Sequence, residues 1–324
     1  MESETIIELT KKLSDDDIKV RREARWNLIE KGEKAVKPLI YQLNSDNIQV
    51  IKESTWVLGK VEDPRAIKPL TELLGDESAS VRKKAGRALV KIGKEALPVI
   101  LDQLKSDDVI RRRTAIWFLP DFEEDDISSH LFHALEDSDP LVRKNATRAI
   151  GLLNIDGAIA YLSKVLNDKD WRARQWAAFS LGLINKKKGA TRGLLRAIND
   201  SSSYVQYAAV VALGDNKSKS SLRRLFNLLK KSDDKILRIA IIKSLGNIGS
   251  RKAVRPLIDL YWSGDVYTRG EVVVALGRIG GVGDIYNVLE NALLDEKICD
   301  LAVYALSHLG TNKAKKLLNM NRNR

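Results

Sequence analysis

Cysteine, proline and aromatic residues are scarce in this sequence of 324 residues, with one cysteine, seven prolines and 6% aromatic side chains. The single Cys299 excludes a disulfide within the chain and is typical of a reducing compartment. No apolar run approaches the roughly 20 residues of a membrane-spanning helix. The N-terminal sequence MESETIIELTKKL also lacks the basic start and apolar stretch of a signal peptide. We therefore expect a cytoplasmic protein without a membrane partner.

The signatures of common catalytic sites are also missing. The sequence has no P-loop, no GxGxxG after a strand, no GxSxG and no HExxH. His130 and His133 are three residues apart, but a metal site needs more converging ligands and no cysteine lies nearby. The sequence therefore predicts no catalytic residue, no cofactor and no metal, and we expect that the chain is not an enzyme.

One helical phrase recurs along the chain, as VRREARWNLIEKG at 20–32, SVRKKAGRALVKIG at 80–93 and LVRKNATRAIGLL at 141–153. Taking the first valine of the phrase as an anchor gives ten copies at intervals close to 31 residues. The ten anchors are Val20, Val50, Val81, Ile110, Val142, Ala173, Val205, Leu237, Thr268 and Ile298. Self-similarity at this period indicates a repeat architecture.

Each copy predicts two helices joined by a turn that contains aspartate. The second helix, which we call the anchor helix, places apolar or small residues at the anchor and at the fourth, eighth and eleventh residues after it. At about 100° per residue these positions form one buried stripe. A leucine-rich first helix precedes it, as in AVKPLIYQL and AIKPLTELL. Neither helix can bury its apolar face alone, so neighbouring copies must stack.

The first-helix proline, the turn aspartate and the VR..A...L phrase resemble the short HEAT-like repeat first described in phycobilisome (PBS) lyase subunits. The resemblance implies an all-α, right-handed α-solenoid of about ten two-helix repeats over residues 1–318, followed by a polar tail at 319–324. It also implies that the anchor helices line a concave face. The family includes scaffolds, lyase subunits and enzymes. HEAT-like deoxyhypusine hydroxylases carry His-Glu pairs for iron, whereas His130, His133 and His308 are followed here by Leu, Ala and Leu.

Two recurring positions are interpreted as structural. Arginine follows the anchor in seven copies and flanks the core stripe close to the turn aspartates, which predicts an Asp–Arg ladder between repeats. The arginines are Arg21, Arg82, Arg111, Arg143, Arg174, Arg238 and Arg269. Glycine recurs at the ninth residue after the anchor, where we expect it to relieve crowding between stacked helices.

The second and sixth residues after each anchor point away from the core stripe, and in the first five copies they form a predicted concave row of cations and tryptophans. Its members are Arg22, Trp26, Lys52, Trp56, Lys83, Arg87, Arg112, Lys144 and Arg148. Cations beside indole rings suit an anionic, extended ligand. The alternative, equally open, is that the tryptophans pack between repeats and the cations are ordinary solvated surface.

A second candidate binding surface is a basic edge in the C-terminal half, where cations gather between consecutive copies. Its members are Lys186, Lys187, Lys188, Arg192, Lys217, Lys219, Arg223, Arg224, Arg251, Lys252 and Arg255. Helix capping explains part of this charge and solubility can explain the rest. In the same half, the concave positions of the last repeats are apolar and suit an amphipathic partner helix or close packing.

These patterns lead to a first hypothesis of a non-enzymatic scaffold that recognises a partner protein, through an acidic or extended segment, on its concave face. The alternative is nucleic-acid binding through the concave row or the basic edge, as the net charge of +12 permits. A second alternative is an accessory subunit of a lyase or of a protein-modifying enzyme. A polyanion binder is distinguished by the steep fall of its affinity with salt.

Overall fold

The computed structural model describes residues 5–122, 127–184, 188–280 and 284–322. The described residues form 21 α-helices and contain no β-strand. They divide into two compact units, Met1–Leu153 and Asn154–Arg324. None of the described helices combines the length and the apolar composition needed to cross a membrane.

The first unit contains five helix pairs, in which each even-numbered helix is an anchor helix. Its helices are α1 (Ile6–Lys11), α2 (Ile18–Glu30), α3 (Glu33–Gln42), α4 (Ile48–Val61), α5 (Ile67–Glu72), α6 (Ala79–Ile92), α7 (Leu97–Gln103), α8 (Val109–Phe118), α9 (Ser128–Ala134) and α10 (Pro140–Leu152). Nine of the ten anchor helices in the chain start two or fewer residues before their predicted anchor, and α20 starts one residue after it. The predicted two-helix repeat is therefore confirmed.

The second unit contains the other five helix pairs and one additional helix. Its helices are α11 (Ala158–Val165), α12 (Trp171–Leu183), α13 (Lys188–Ala197), α14 (Ser203–Asp215), α15 (Leu222–Lys231), α16 (Lys235–Ile248), α17 (Val254–Ser263), α18 (Val266–Ile279), α19 (Ile285–Leu293), α20 (Cys299–Leu309) and α21 (Asn312–Arg322). The final helix α21 includes residues 319–322 of the stretch that the sequence suggested as a polar tail. The predicted domain boundaries remain a prediction.

Side-chain caps begin most of the anchor helices, and their place varies from the turn aspartate itself, Asp265 in α18, to two residues after it, Asp139 in α10. In the fifth pair, the Asp139 carboxylate accepts hydrogen bonds from the backbone N–H groups of Leu141 and Val142. The turn aspartate, Asp137, accepts instead from the N–H of Asp139. In this pair the cap residue satisfies the first free N–H groups of the helix, and the turn aspartate fixes the turn that presents it.

The Asp–Arg ladder is present, and Arg174 shows its full geometry. Its Nη1 donates to the carbonyls of Asp168 and Lys169 in its own turn, at 2.8 and 3.2 Å. Its Nε and Nη2 donate to the carboxylate of Asp200 in the next turn, at 2.7 and 2.9 Å. The turn carbonyls are bound in the same way by Arg21, Arg82 and Arg143. The structural role predicted for these arginines is confirmed.

The fourth repeat departs from the predicted register by one residue. Arg112, and not Arg111, donates to the turn carbonyls of Ser106 and Asp107, and it also binds the carboxylate of Asp137 at 2.8 Å. Arg112 was expected in the concave row, so that placement is corrected: ladder contacts occupy its guanidinium and leave its side chain largely buried. Ala115 and Leu119, one residue later than predicted, fill the core stripe.

Neighbouring anchor helices approach closely at the recurring glycines. A Cβ atom on Gly59 would lie 2.7 Å from the Cα of Ala88, and a Cβ atom on Gly214 would lie 2.7 Å from the Cβ of Ser244. Gly182, Gly246 and Gly277 face equally close contacts in the second unit. These distances are shorter than van der Waals contact, so the prediction that glycine relieves crowding between helices is confirmed at these positions.

Candidate functional site

The corrected register defines the candidate site of the first unit, which we call the tryptophan row. It takes one pair of side chains from each of the five anchor helices of that unit: Arg22 and Trp26 on α2, Lys52 and Trp56 on α4, Lys83 and Arg87 on α6, Arg113 and Trp117 on α8, and Lys144 and Arg148 on α10. Arg113 and Trp117 are the residues that the sequence reasoning missed. The uneven spacing of the anchors around Ile110 could have indicated the register shift, because moving this anchor by one residue makes the intervals to Val81 and Val142 nearly equal.

At one end of the row, two indole rings meet edge to face. The ring centroids of Trp26 and Trp56 are 6.2 Å apart with an interplanar angle of 85°. The Arg25 guanidinium lies 4.7 Å from the centroid of the Trp56 ring, and the Lys60 ammonium lies 5.9 Å from it. Trp56 is thus half-buried among cations, while Trp26 is 55% exposed. One tryptophan thus packs between repeats and the other faces solvent, and a binding role for the row stays a prediction.

At the other end of the row, Trp117 lies beneath two cations of the next anchor helix. The Arg148 guanidinium is 4.0 Å from the centroid of its ring and the Lys144 ammonium is 5.8 Å from it. Burial lowers the pKa of Arg148, and the carboxylate of Asp121 acts in the opposite direction. Helix α8 stops at Phe118, before a 3-10 turn that contains Pro120. Asp121 is carried on that turn.

The remaining cations of the row differ in how they are neutralised. Arg113 binds the Asp139 carboxylate, and its hydrogen bonds hold the pKa of Asp139 below the ordinary value. Arg22, Lys83 and Arg87 are exposed and have no ion-pair partner among the described residues. These three side chains are therefore available to an anionic ligand.

A pocket of about 450 Å³ lies beside the row, between α4 and α6. The side chains of Lys60, Lys84, Arg87, Lys91 and Trp56 line it, and Asp121 is the carboxylate in its wall. Sequence analysis missed this pocket. Lys60 and Lys91 are both the tenth residue after their anchors, one helical turn beyond the row. This shared position could have predicted that the two lysines lie on the same side of neighbouring helices.

The basic edge lies in the second unit, and its described side chains are exposed. Arg224 donates to the carbonyl of Leu195 at 2.7 Å, and Arg255 pairs with Asp259 at 3.3 Å. Lys186 and Lys187 lie outside the described residues, as does the side chain of Lys188. A binding role for the basic edge stays a prediction.

The apolar concave positions of the second unit border a second cavity. Tyr207 and Ile239 line a space of about 720 Å³ together with Tyr267. The cavity also contains cations and carboxylates, among them Lys243 and Glu271, which pair with each other at 3.1 Å. Cations and carboxylates are thus balanced in its described lining, whereas cations predominate in the pocket beside the tryptophan row.

The helix pairs define an all-α solenoid. A sequence profile of HEAT repeats matches residues 6–89, 36–120, 128–213, 191–277 and 222–307, so the chain belongs to the HEAT-repeat family. Phycocyanin operon protein Z from Pseudanabaena tenuis is 19% identical over 193 residues, which are 57% of this chain and 95% of that protein. Kap95p, in its complex with RanGDP, superposes with a TM-score of 0.68 at 14% identity, over 94% of this chain and 52% of the other.

A further relative corrects one expectation. The deoxyhypusine hydroxylase of Candida albicans is 23% identical over 262 residues, covering 76% of this chain and 79% of that protein. This relative is an enzyme, and it overturns the expectation, drawn from missing catalytic signatures, that the chain is not one. His130 and His133 lie on α9 and His308 lies on α20. Within the described ranges, no group of three or more His, Cys, Asp or Glu side chains is placed to hold a metal.

Proposed function

We propose that this HEAT-repeat protein binds a partner protein through the tryptophan row, and that the bound segment is extended and acidic. The observation that carries the proposal is the alternation of indole rings and cations over five successive anchor helices, with Trp26 and Trp117 exposed. Exposed aromatic rings supply apolar contact area, and the adjacent cations select carboxylates.

The dimensions of the row favour an extended segment. Packed helices lie roughly 8–10 Å apart, so five neighbours present side chains over a distance on the order of 40 Å. About 12 residues of extended chain span that distance at roughly 3.3 Å per residue. Kap95p, which has the same fold, binds the protein RanGDP, and this supports a protein ligand over a small molecule.

The test measures the binding of fluorescent peptides of about 12 residues, one rich in Asp and Glu with a central Leu and one rich in Lys. We expect the acidic peptide to bind and the basic peptide not to bind. The variant Arg22→Gln/Trp26→Ala/Lys83→Gln should weaken binding about tenfold or more, because it removes an aromatic anchor and two cations.

The matched control is Lys68→Gln/Lys105→Gln/Tyr41→Ala, which likewise removes two positive charges and one aromatic ring, at exposed residues outside the anchor helices. It should bind the acidic peptide like the wild type. Equal losses in the two triple variants would contradict the proposal. Tighter binding of an oligothymidylate of similar length would show instead that the row is a nucleic-acid site.

A further inference from the structure

The pocket between α4 and α6 has an excess of positive charge. Among the residues that the structure describes, its wall carries four cations, Lys60, Lys84, Arg87 and Lys91, against one carboxylate, that of Asp121. None of the four cations has an ion-pair partner in the part of the chain that the structure describes. Like charges gathered in one concave site repel each other, so an anion that enters the pocket is stabilised by all four.

Lys84 is the cation with the least favourable surroundings. Its side chain is half-buried, and burial lowers the pKa of its ammonium group. Arg25, Lys52 and Arg87 lower that pKa further, and Glu53 alone raises it. Glu53 is already engaged by Arg25 at 2.7 Å and by Gln49. A bound anion would supply the counter-charge that Lys84 lacks.

We propose that this pocket binds a phosphate group carried on a serine or threonine of the partner segment, an inference that rests on the proposed function of the tryptophan row. A phosphate monoester carries about two negative charges near neutral pH and three acceptor oxygens. A glutamate or aspartate of the partner offers one charge and two oxygens. The exposed Arg87 guanidinium is suited to bind two phosphate oxygens at once, and the three ammonium groups supply the remaining positive charge.

The position of the pocket agrees with this assignment. Trp56 and Arg87 belong both to the tryptophan row and to the lining of the pocket. A segment that lies along the row therefore passes the mouth of the pocket, and one of its side chains can enter. The volume of about 450 Å³ accommodates a phosphorylated side chain.

The experiment compares one acidic peptide of about 12 residues in three forms, with serine, phosphoserine or glutamate at its centre. For the wild type we expect the phosphoserine form to bind about tenfold tighter than the serine form. Lys60→Gln/Lys91→Gln, which changes no residue of the tryptophan row, should reduce this ratio to below about threefold. The control Lys68→Gln/Lys105→Gln has the same change in net charge and should keep the full ratio.

Asp121 gives a test of opposite sign. Its carboxylate repels an incoming phosphate, so Asp121→Asn should raise the ratio between phosphoserine and serine peptides about two- to fivefold. A loss of preference in this variant would overturn the inference. Inorganic phosphate serves as the minimal probe: it should shift the indole N–H resonance of Trp56, and sodium chloride of equal ionic strength should not.

The outcomes separate the two proposals. If the serine peptide binds and phosphorylation adds nothing, the phosphate pocket is wrong and the proposed function stands. If no peptide binds, but inorganic phosphate shifts the Trp56 resonance in the wild type and not in Lys60→Gln/Lys91→Gln, the phosphate site stands without the protein partner. The assignment to a phosphorylated protein would be overturned if the wild type bound an oligothymidylate more tightly than the phosphopeptide and Lys60→Gln/Lys91→Gln abolished that binding.

Discussion

The guanidinium of Arg148 covers the indole ring of Trp117 at 4.0 Å, and its Nη2 donates a hydrogen bond to the Trp117 carbonyl at 2.9 Å. One side chain of α10 thus contacts both the ring and the backbone of a residue at the end of α8. Trp117 is 43% exposed, yet the Arg148 contacts restrain it. A restrained aromatic ring loses little conformational freedom when a ligand binds.

We expect Arg148→Met to lower the free energy of unfolding by about 1–2 kcal/mol, because it removes a cation–π contact and a hydrogen bond. The buried Nε of Arg148 has no hydrogen-bond acceptor among the described residues, which keeps the loss modest. Arg87 occupies the same repeat position on α6 but is exposed, so Arg87→Met should change stability by less than about 0.5 kcal/mol. Urea denaturation measures the free energy of unfolding of both variants. Equal losses in the two variants would contradict the stacking role.

The ladder makes a second prediction, at Arg174. Its side chain is 14% exposed and binds Asp200 together with two turn carbonyls. Arg174→Met leaves these acceptors without a donor and should cost about 2–3 kcal/mol of stability. Arg172 on the same helix is 49% exposed, pairs with Asp170 and lies 5.1 Å from the centroid of the Trp171 ring. Arg172→Met should cost less than about 1 kcal/mol. The prediction fails if thermal unfolding ranks the two variants in the reverse order.

Acid titration tests the pair of Arg113 and Asp139. Hydrogen bonds from Arg113 are the largest cause that holds the pKa of Asp139 below its ordinary value, and backbone N–H groups of α10 add to the effect. A carboxyl whose folded pKa is lowered contributes stability above its unfolded pKa, near about 3.9, and loses it as pH falls through the folded pKa. The stability difference between wild type and Arg113→Gln should therefore be full at pH 6 and shrink below about pH 4. A difference independent of pH would show that Arg113 stabilises by packing alone.

The glycine contacts give a prediction of steric origin. Gly214→Ala would place a Cβ atom 2.7 Å from the Cβ and 2.8 Å from the Cα of Ser244 on the neighbouring anchor helix. The helices must separate to admit it, which should cost about 1–3 kcal/mol. Among the described atoms, a Cβ on Gly189 of α13 would meet the Cγ2 methyl of Ile159 at 3.1 Å and no backbone. Gly189→Ala should change stability by less than about 0.5 kcal/mol, since better helix propensity offsets the contact. Chemical denaturation of both variants checks this contrast.

The period of about 31 residues was enough to predict all ten helix pairs, because the apolar stripe of each anchor helix must be buried against its neighbours. The one-residue slip at Arg112 was not resolved by periodicity, since Thr114 and Ala115 both suit a small buried position. The exact cap position was not predictable from the turn pattern, since the turn aspartate Asp265 caps α18 itself, whereas Asp139 caps α10 two residues after the turn aspartate. The pocket was missed because stacking of α4 on α6 brings together Lys60, Lys84 and Lys91, which the sequence separates by up to a full repeat.

The close approach of Gly59 to Ala88, and of Gly214 to Ser244, sets the distance between those neighbouring anchor helices. That distance also sets the interval between the outward-facing side chains of successive anchor helices. The spacing of these side chains and their chemistry are therefore determined at different positions of the repeat. Replacing a glycine at the ninth position lengthens the interval, whereas replacing the second and sixth residues changes only the side chains presented along it.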